Sequence, residues 1–142
     1  QEKYSIATRR IETELVPVCK EYGVSIQAYS PLEQGLLTGK FTVDTRFPAG
    51  DVRNNNPSFQ PERRMKILEI LDQWKNLTEK YQCSYGNLVI AFTAKLIDSL
   101  HILAGARKLE QIEDNARALN ISLDEKDIVQ MKEDIEILSR VC

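Results

Sequence analysis

The chain has 142 residues, 42% hydrophobic and 28% charged, enough for one domain with a buried core. Its 19 Lys and Arg nearly balance 21 Asp and Glu, for a formal charge of −2, and the basic pairs Arg9-Arg10 and Arg63-Arg64 are short with acidic neighbours, which argues against nucleic acid or a membrane surface as partner. Three widely spaced cysteines (Cys19, Cys83, Cys142) argue against a disulfide framework and a zinc site, and the setting expected is a reducing cytoplasm.

Taken from the N-terminus, Glu2 to Ser5 fits the tail of a strand, though too few residues are present to decide it from pattern. Ile11, Leu15, Val18, Cys19 and Tyr22 fall on one face at helical spacing, and Gly23 sits where a C-cap belongs. The alternating run Val24, Ile26, Ala28 then predicts a strand ending at Tyr29. Residues 41–60, rich in Pro, Gly, Asn and Asp, read as a long loop. Pro61 suits a helix start, and Ile67, Leu71, Trp74, Leu77 and Tyr81 trace an apolar stripe behind it. Ser84 is placed to cap a helix carrying Leu88, Ala91, Phe92 and Leu96.

Ile102 to Ala104 is a short apolar strand ending at Gly105, followed by a helix with Ile112, Ala116 and Leu119. Ser122 and Glu125 have capping-box spacing ahead of a last helix bearing Ile128, Met131, Ile135 and Leu138. The longest apolar stretch, Leu88 to Ile97, is broken by Lys95 and too short to span a bilayer, and no signal peptide is visible. Strands alternating with helices predict a parallel sheet. Three such strands cannot close on themselves, and a closed (β/α)8 barrel takes about 250 residues.

Three motifs bear on chemistry. Gly35 to Lys40 (GLLTGK) has three residues between its glycines and Phe41 after the lysine, so it departs from the nucleotide-triphosphate loop; an anion site with Lys40 as added charge and a plain glycine turn both remain open. Tyr29, at a strand end, is suited either to stacking on a planar ligand or to filling the core. Gly105 to Asn115 (GARKLEQIEDN) opens a helix with Arg107 and Lys108 near its N-terminus, either an anion site or an ordinary turn. His101, the single histidine, falls at the start of a strand and reads as structural or as a surface residue; Glu113 and Asp114, adjacent on a helix, point apart.

Several segments, in order, resemble the aldo-keto reductases, in the branch containing bacterial reductases and potassium-channel β subunits. Gln1 to Ser5 (QEKYS) is similar to the family's sixth strand, Ala28 to Lys40 (AYSPLEQGLLTGK) to the seventh strand and its loop, Phe47 to Arg53 (FPAGDVR) to the segment that follows, and GARKLEQIEDN to the eighth strand's loop and helix. The resemblance runs over essentially all residues 1–142 and implies the C-terminal half of a (β/α)8 TIM barrel, an incomplete barrel of about three parallel strands plus helices.

It also implies an NADPH site. Gln1 matches the residue that hydrogen-bonds the nicotinamide carboxamide, and Tyr29 the ring that stacks on the nicotinamide. Ser30, Pro31, Leu32, Gly35 and Lys40 match the loop around the pyrophosphate, and Arg53 an arginine that holds the cofactor. Gly105, Arg107, Gln111, Asp114 and Asn115 match the segment that grips the adenosine and its 2′-phosphate. Arg107 and Lys108 favour NADPH over NADH, because an added phosphate wants added positive charge.

The family's catalytic Asp, Tyr, Lys and His belong to the barrel's first half, which nothing here resembles; Tyr4, Tyr29 and His101 occupy other positions. No catalytic residue and no metal site is assigned. The chain begins with Gln1 rather than Met, which reads as processing or as a start within a longer sequence, and the expectation is that residues 1–142 alone are inactive. The partner expected is the N-terminal half of the barrel or a second copy of the chain, a carbonyl substrate entering only in the complete enzyme. The alternative is a non-catalytic half-barrel module for binding or dimerisation.

Overall fold

A computed structural model describes residues 1–139; Arg140, Val141 and Cys142 lie outside the described residues. Strand β1 (Glu2–Lys3) is followed by helix α1 (Leu15–Glu21), strand β2 (Ile26–Tyr29), helices α2 (Pro61–Gln73), α3 (Lys75–Lys80) and α4 (Tyr85–Thr93), strand β3 (Leu100–Leu103), and helices α5 (Leu109–Arg117) and α6 (Glu125–Ser139). All three strands are parallel, in the order β1-β2-β3. The strand and helix alternation in the sequence requires that arrangement, because a parallel partner is reached only through a crossover.

Period-two alternation gives the sheet two unlike faces. Ile26 and Ala28 are buried and, with half-buried Leu100 and Ile102, pack against Tyr4, Ile11, Leu15, Val16 and Cys19. Gln27, Tyr29, His101 and Leu103 point the other way and are exposed. A larger core joins α2, α4 and α6 through Ile67, Leu71, Trp74, Leu88, Phe92, Met131 and Ile135, with Leu36 and Leu37 reaching in from the segment after β2.

The local signals at helix ends act as written. At the end of α1, Val24 N–H bonds Cys19 O at 2.8 Å and Gly23 N–H bonds Lys20 O at 3.4 Å, with Gly23 at φ +66°, a Schellman motif that only a residue without Cβ adopts freely. Ser84 Oγ accepts the Asn87 N–H while the Asn87 side chain accepts the Ser84 N–H, closing a capping box. Pro61 is the first residue of α2.

Elsewhere the structure departs from the pattern. Ile11 lies in a separate 3-10 turn (Arg10–Glu12), because Pro17 in the first turn of α1 is incompatible with a helix continuing back through Thr13; Val18 and Tyr22 are consequently exposed. Val24 precedes β2 and is exposed, serving the cap rather than the strand. Leu96 follows α4 instead of belonging to it. The carbonyl of Asp124 accepts the first bonds of α6, from Asp127 and Ile128, so that helix starts two residues later than a Ser122–Glu125 box requires. Residues 41–60 contain two 3-10 turns, Val52–Asn55 and Pro57–Phe59. Helix α5 rests on α4, with the Asn87 amide donating to Asp114 O at 2.6 Å, and turns Leu109 and Ile112 to solvent, as does Leu119 in the 3-10 turn (Ala118–Asn120) that follows.

Candidate functional site

The C-terminal ends of the strands gather the residues of interest. Register places Lys3 opposite Tyr29 and Tyr29 opposite Leu103, so Gly105 emerges two residues beyond the strand that flanks Tyr29. Tyr29 stands on the uncovered sheet face, 43% exposed. Gln1 is exposed just before β1, and His101 faces the same open side one layer below Tyr29.

The loop leaving β2 is conformationally unusual. Ser30, Glu33 and Gln34 hold φ of 57°, 45° and 53°, values that disfavour residues with a Cβ, and Gly35 and Gly39 follow at 91° and 72°. Pro31, Leu36 and Leu37 are buried and anchor it, with Leu32 half-buried. Short bonds fold it on itself: Glu33 N–H to Ser30 O at 3.0 Å, Gly35 N–H to Leu32 O at 2.9 Å, and Thr38 Oγ1–H to Gly35 O at 2.7 Å. A Cβ on Gly35 would meet the Lys40 ammonium at 2.6 Å, so Lys40 lies directly over this backbone.

From Lys40 the path continues through rings. Phe41, Phe47 and Phe59 pack edge to face with centroids 5.2–5.8 Å apart. Lys40 Nζ is 5.0 Å from the Phe41 centroid, and Arg53 lies over Phe41 and Phe47. Arg53 forks onto Asp51; its hydrogen bonds first, and the more distant charge of Arg107 last, hold the Asp51 carboxyl down at about 2. Arg107 lies on the turn after β3, at the C-terminal end of the sheet. Its N–H is received by Gln111 Oε1 at 2.8 Å, which closes the turn into α5.

The remaining positions are less convergent. Asp114 faces α4, where its side chain accepts from Ser84 Oγ at 3.4 Å and lies 3.9 Å from Arg117. Asn115 is half-buried beside it. An open groove of about 580 Å³, lined by Cys83, Ser84, Asn87, Asp114, Arg117 and Ile121, runs between α4 and α5, apart from Tyr29 and Lys40. Tyr4 is fully buried and donates to Glu12 at 2.6 Å; burial first, then Glu12, raises its pKa, so it keeps its proton and serves the core.

One residue escaped the sequence reading. Glu33, wholly buried, accepts Thr8 Oγ1–H at 2.6 Å and Ser5 Oγ–H at 2.8 Å on Oε1, and pairs with Lys3 Nζ at 2.9 Å on Oε2. The signal available was a carboxylate set between Leu32 and Gly35 in a loop whose leucines are core residues.

The profile of the Aldo/keto reductase family matches residues 1–136. The chain is 44% identical over 140 residues to the NADH-specific methylglyoxal reductase of Escherichia coli (strain K12), covering 99% of this chain and 42% of that protein. It is 32% identical over 137 residues to probable aldo-keto reductase 1 of Glycine max (96% and 39% covered), and 27% identical over 130 residues to aldo-keto reductase yakc [NADP(+)] of Schizosaccharomyces pombe (92% and 38% covered). Among solved structures, the glycerol dehydrogenase AKR11B4 from Gluconobacter oxydans superposes with a TM-score of 0.79 at 29% identity, covering 94% of this chain and 39% of that one. The chain thus spans about two fifths of the length of these relatives.

Proposed function

The chain belongs to the aldo/keto reductase family, and from that membership we propose that it is the dinucleotide-binding C-terminal half of a cytoplasmic reductase that reduces aldehydes or ketones with NADPH. The observation that carries this reading is the exposed Tyr29 ring at the β2 terminus, flanked by β3 and Gly105, with Lys40, Arg53 and Arg107 at the same end. Phosphates are commonly held by the loops after the last two strands of such barrels.

The residues fit a dinucleotide. The missing Cβ at Gly35 lets the Lys40 side chain lie directly on the loop backbone, and Gly105 opens onto free space where backbone can approach a ligand. Tyr29 would stack on the nicotinamide and Gln1 would hydrogen-bond its carboxamide. Ser30, Pro31, Leu32, Gly35 and Lys40 would surround the pyrophosphate, with Arg53 closing over it. Gly105, Arg107, Gln111, Asp114 and Asn115 would hold the adenosine end. When bound, the cofactor supplies a hydride to the carbonyl carbon.

None of this chain's residues is assigned the proton that must reach the carbonyl oxygen; that role falls to the Asp, Tyr, Lys and His of the barrel's other half. That half, or a second copy of the chain, would also cover the open sheet face, the two strand edges, and Leu109, Ile112 and Leu119. Two of these relatives carry NADH and NADP(+) in their names, respectively. Arg107 and Lys108 favour the 2′-phosphate here.

The test is fluorescence titration of the full-length protein with NADPH and NADH. NADPH should bind the tighter, and Arg107→Ala should weaken NADPH by about tenfold while changing NADH little. Failure to bind either dinucleotide would remove the reading, and turnover of a generic aldehyde by residues 1–142 alone would overturn the division of labour.

A further inference from the structure

We propose that Glu33 is a positioning residue of the dinucleotide site: a buried carboxylate that clamps the loop after β2 onto the segment after β1 and so fixes Gly35 and Lys40 for the ligand. The proposal rests on the dinucleotide reading above.

Three donors converge on this one side chain, and all come from a single short stretch of chain, Lys3, Ser5 and Thr8. That stretch is rigid in its own right. Ser5 and Thr8 exchange backbone bonds at 3.1 Å, and Ser5 Oγ also accepts the N–H groups of Ala7 and Thr8 at 3.2 and 3.0 Å. The donors are therefore arranged independently of the loop they hold. A buried carboxylate without such partners would be strongly disfavoured, so Glu33 has one favourable place to sit.

Sitting there dictates the loop's path. Glu33 reaches the donors with its own backbone at φ 45°, and the left-handed turn continues through Gln34 and Gly35. Left-handed backbone at consecutive non-glycine residues persists only where surrounding structure over-determines it. The clamp supplies that determination at the point where Gly35 passes beneath Lys40. Gln34, next in line, accepts the Asn56 amide at 3.2 Å and ties the same turn to the segment that presents Arg53. Lys3 shares a register layer with Tyr29, so its pairing with Glu33 also fixes an ammonium that would otherwise be free beside the ring. Glu33 itself has no exposure through which to touch a ligand, and it acts through its neighbours.

The experiment is steady-state kinetics and dinucleotide titration of the full-length protein as wild type, Glu33→Gln, Thr8→Val and, as a stability control, Ile135→Val, each with its Tm. Glu33→Gln keeps the shape and loses the charge; Thr8→Val removes one donor and carries the test should Glu33→Gln not fold. Expected is a rise of about tenfold in KM and Kd for the dinucleotide in Glu33→Gln, a smaller rise in Thr8→Val, and kcat at saturation within about twofold. Ile135→Val should lower Tm and leave KM unchanged. Wild-type KM in both folded clamp variants, or an equal KM rise in Ile135→Val, overturns the proposal. A wild-type protein that binds no dinucleotide overturns the underlying reading instead.

Discussion

The Arg53 guanidinium lies 4.2 Å from the centre of the Phe47 ring while forking onto Asp51, so one side chain joins the aromatic cluster of residues 41–60 to a carboxylate at the loop's turn. Arg53→Ala should loosen this loop without unfolding the protein. This half-buried ion pair at the loop surface contributes little to global stability, so Tm should move by no more than about 2 °C. Hydrogen exchange over residues 41–60 should quicken and dinucleotide affinity should fall. Unchanged exchange in this segment would show that the ring cluster orders the loop unaided.

Gly35 and Gly105 make a matched pair. Gly35→Ala places a Cβ at φ +91° within 2.6 Å of Lys40 Nζ, and should cost about 1–2 kcal/mol in addition to weakening dinucleotide binding. Gly105→Ala meets no atom within 4 Å and no positive φ, so its stability should stay within about 0.5 kcal/mol of wild type. A loss of binding in Gly105→Ala would then report close ligand approach alone. Urea melts paired with dinucleotide titrations separate the two effects.

Trp74, the single tryptophan, stacks edge to face on Phe92 at 5.6 Å and donates its indole N–H to Asp134 at 2.7 Å, pinning the α2–α3 junction to α6. Trp74→Ala should destabilise by about 3–5 kcal/mol through the cavity it leaves. Asp134→Ala should cost about 1 kcal/mol, and its unfolding can be followed through the fluorescence of Trp74 itself. Equal losses in the two variants would contradict the assignment of most of the energy to packing.

Acid should weaken the fold through Glu33. Burial pushes its carboxyl up, but hydrogen bonds from Thr8, Lys3 and Ser5 outweigh burial and leave it below the ordinary 4.5. A group depressed in the folded state contributes stability that is fully present above the unfolded value and is lost as pH falls through the folded one. Urea midpoints should therefore decline from about pH 5 downward, and Glu33→Gln should flatten that decline. A steeper acid loss in the variant would reverse the sign and reject the account.

What the sequence disclosed was largely local. Gly23, Ser84 and Pro61 each act within a few residues of themselves, so their chemistry is visible in a one-dimensional string. The stripe on α6 was legible because its partners, Ile67 and Trp74, form an equally clear stripe. Ile112 and Ala116 on α5 follow the same helical period and are exposed, since periodicity marks a face to be covered without stating by what. Ser122 lost its cap to Asp124 because two polar residues competed for one helix start. The basic and glycine-rich ends of the site were visible as motifs. The buried role of Glu33 was not, because it depends on three donors 25 to 30 residues earlier in the chain.

The register that pairs Ile26 with Leu100 also bears on the order of assembly. The two strands are separated by the whole of α2, α3 and α4, so β2 and β3 must close a long loop of chain before any bond between them can form. Contacts among neighbouring helices close much shorter loops and reward the chain sooner. Contacts among the sequence neighbours α2, α3, α4 and α5 are thus expected to condense ahead of the β2–β3 pairing, making the strand ends a late acquisition in folding.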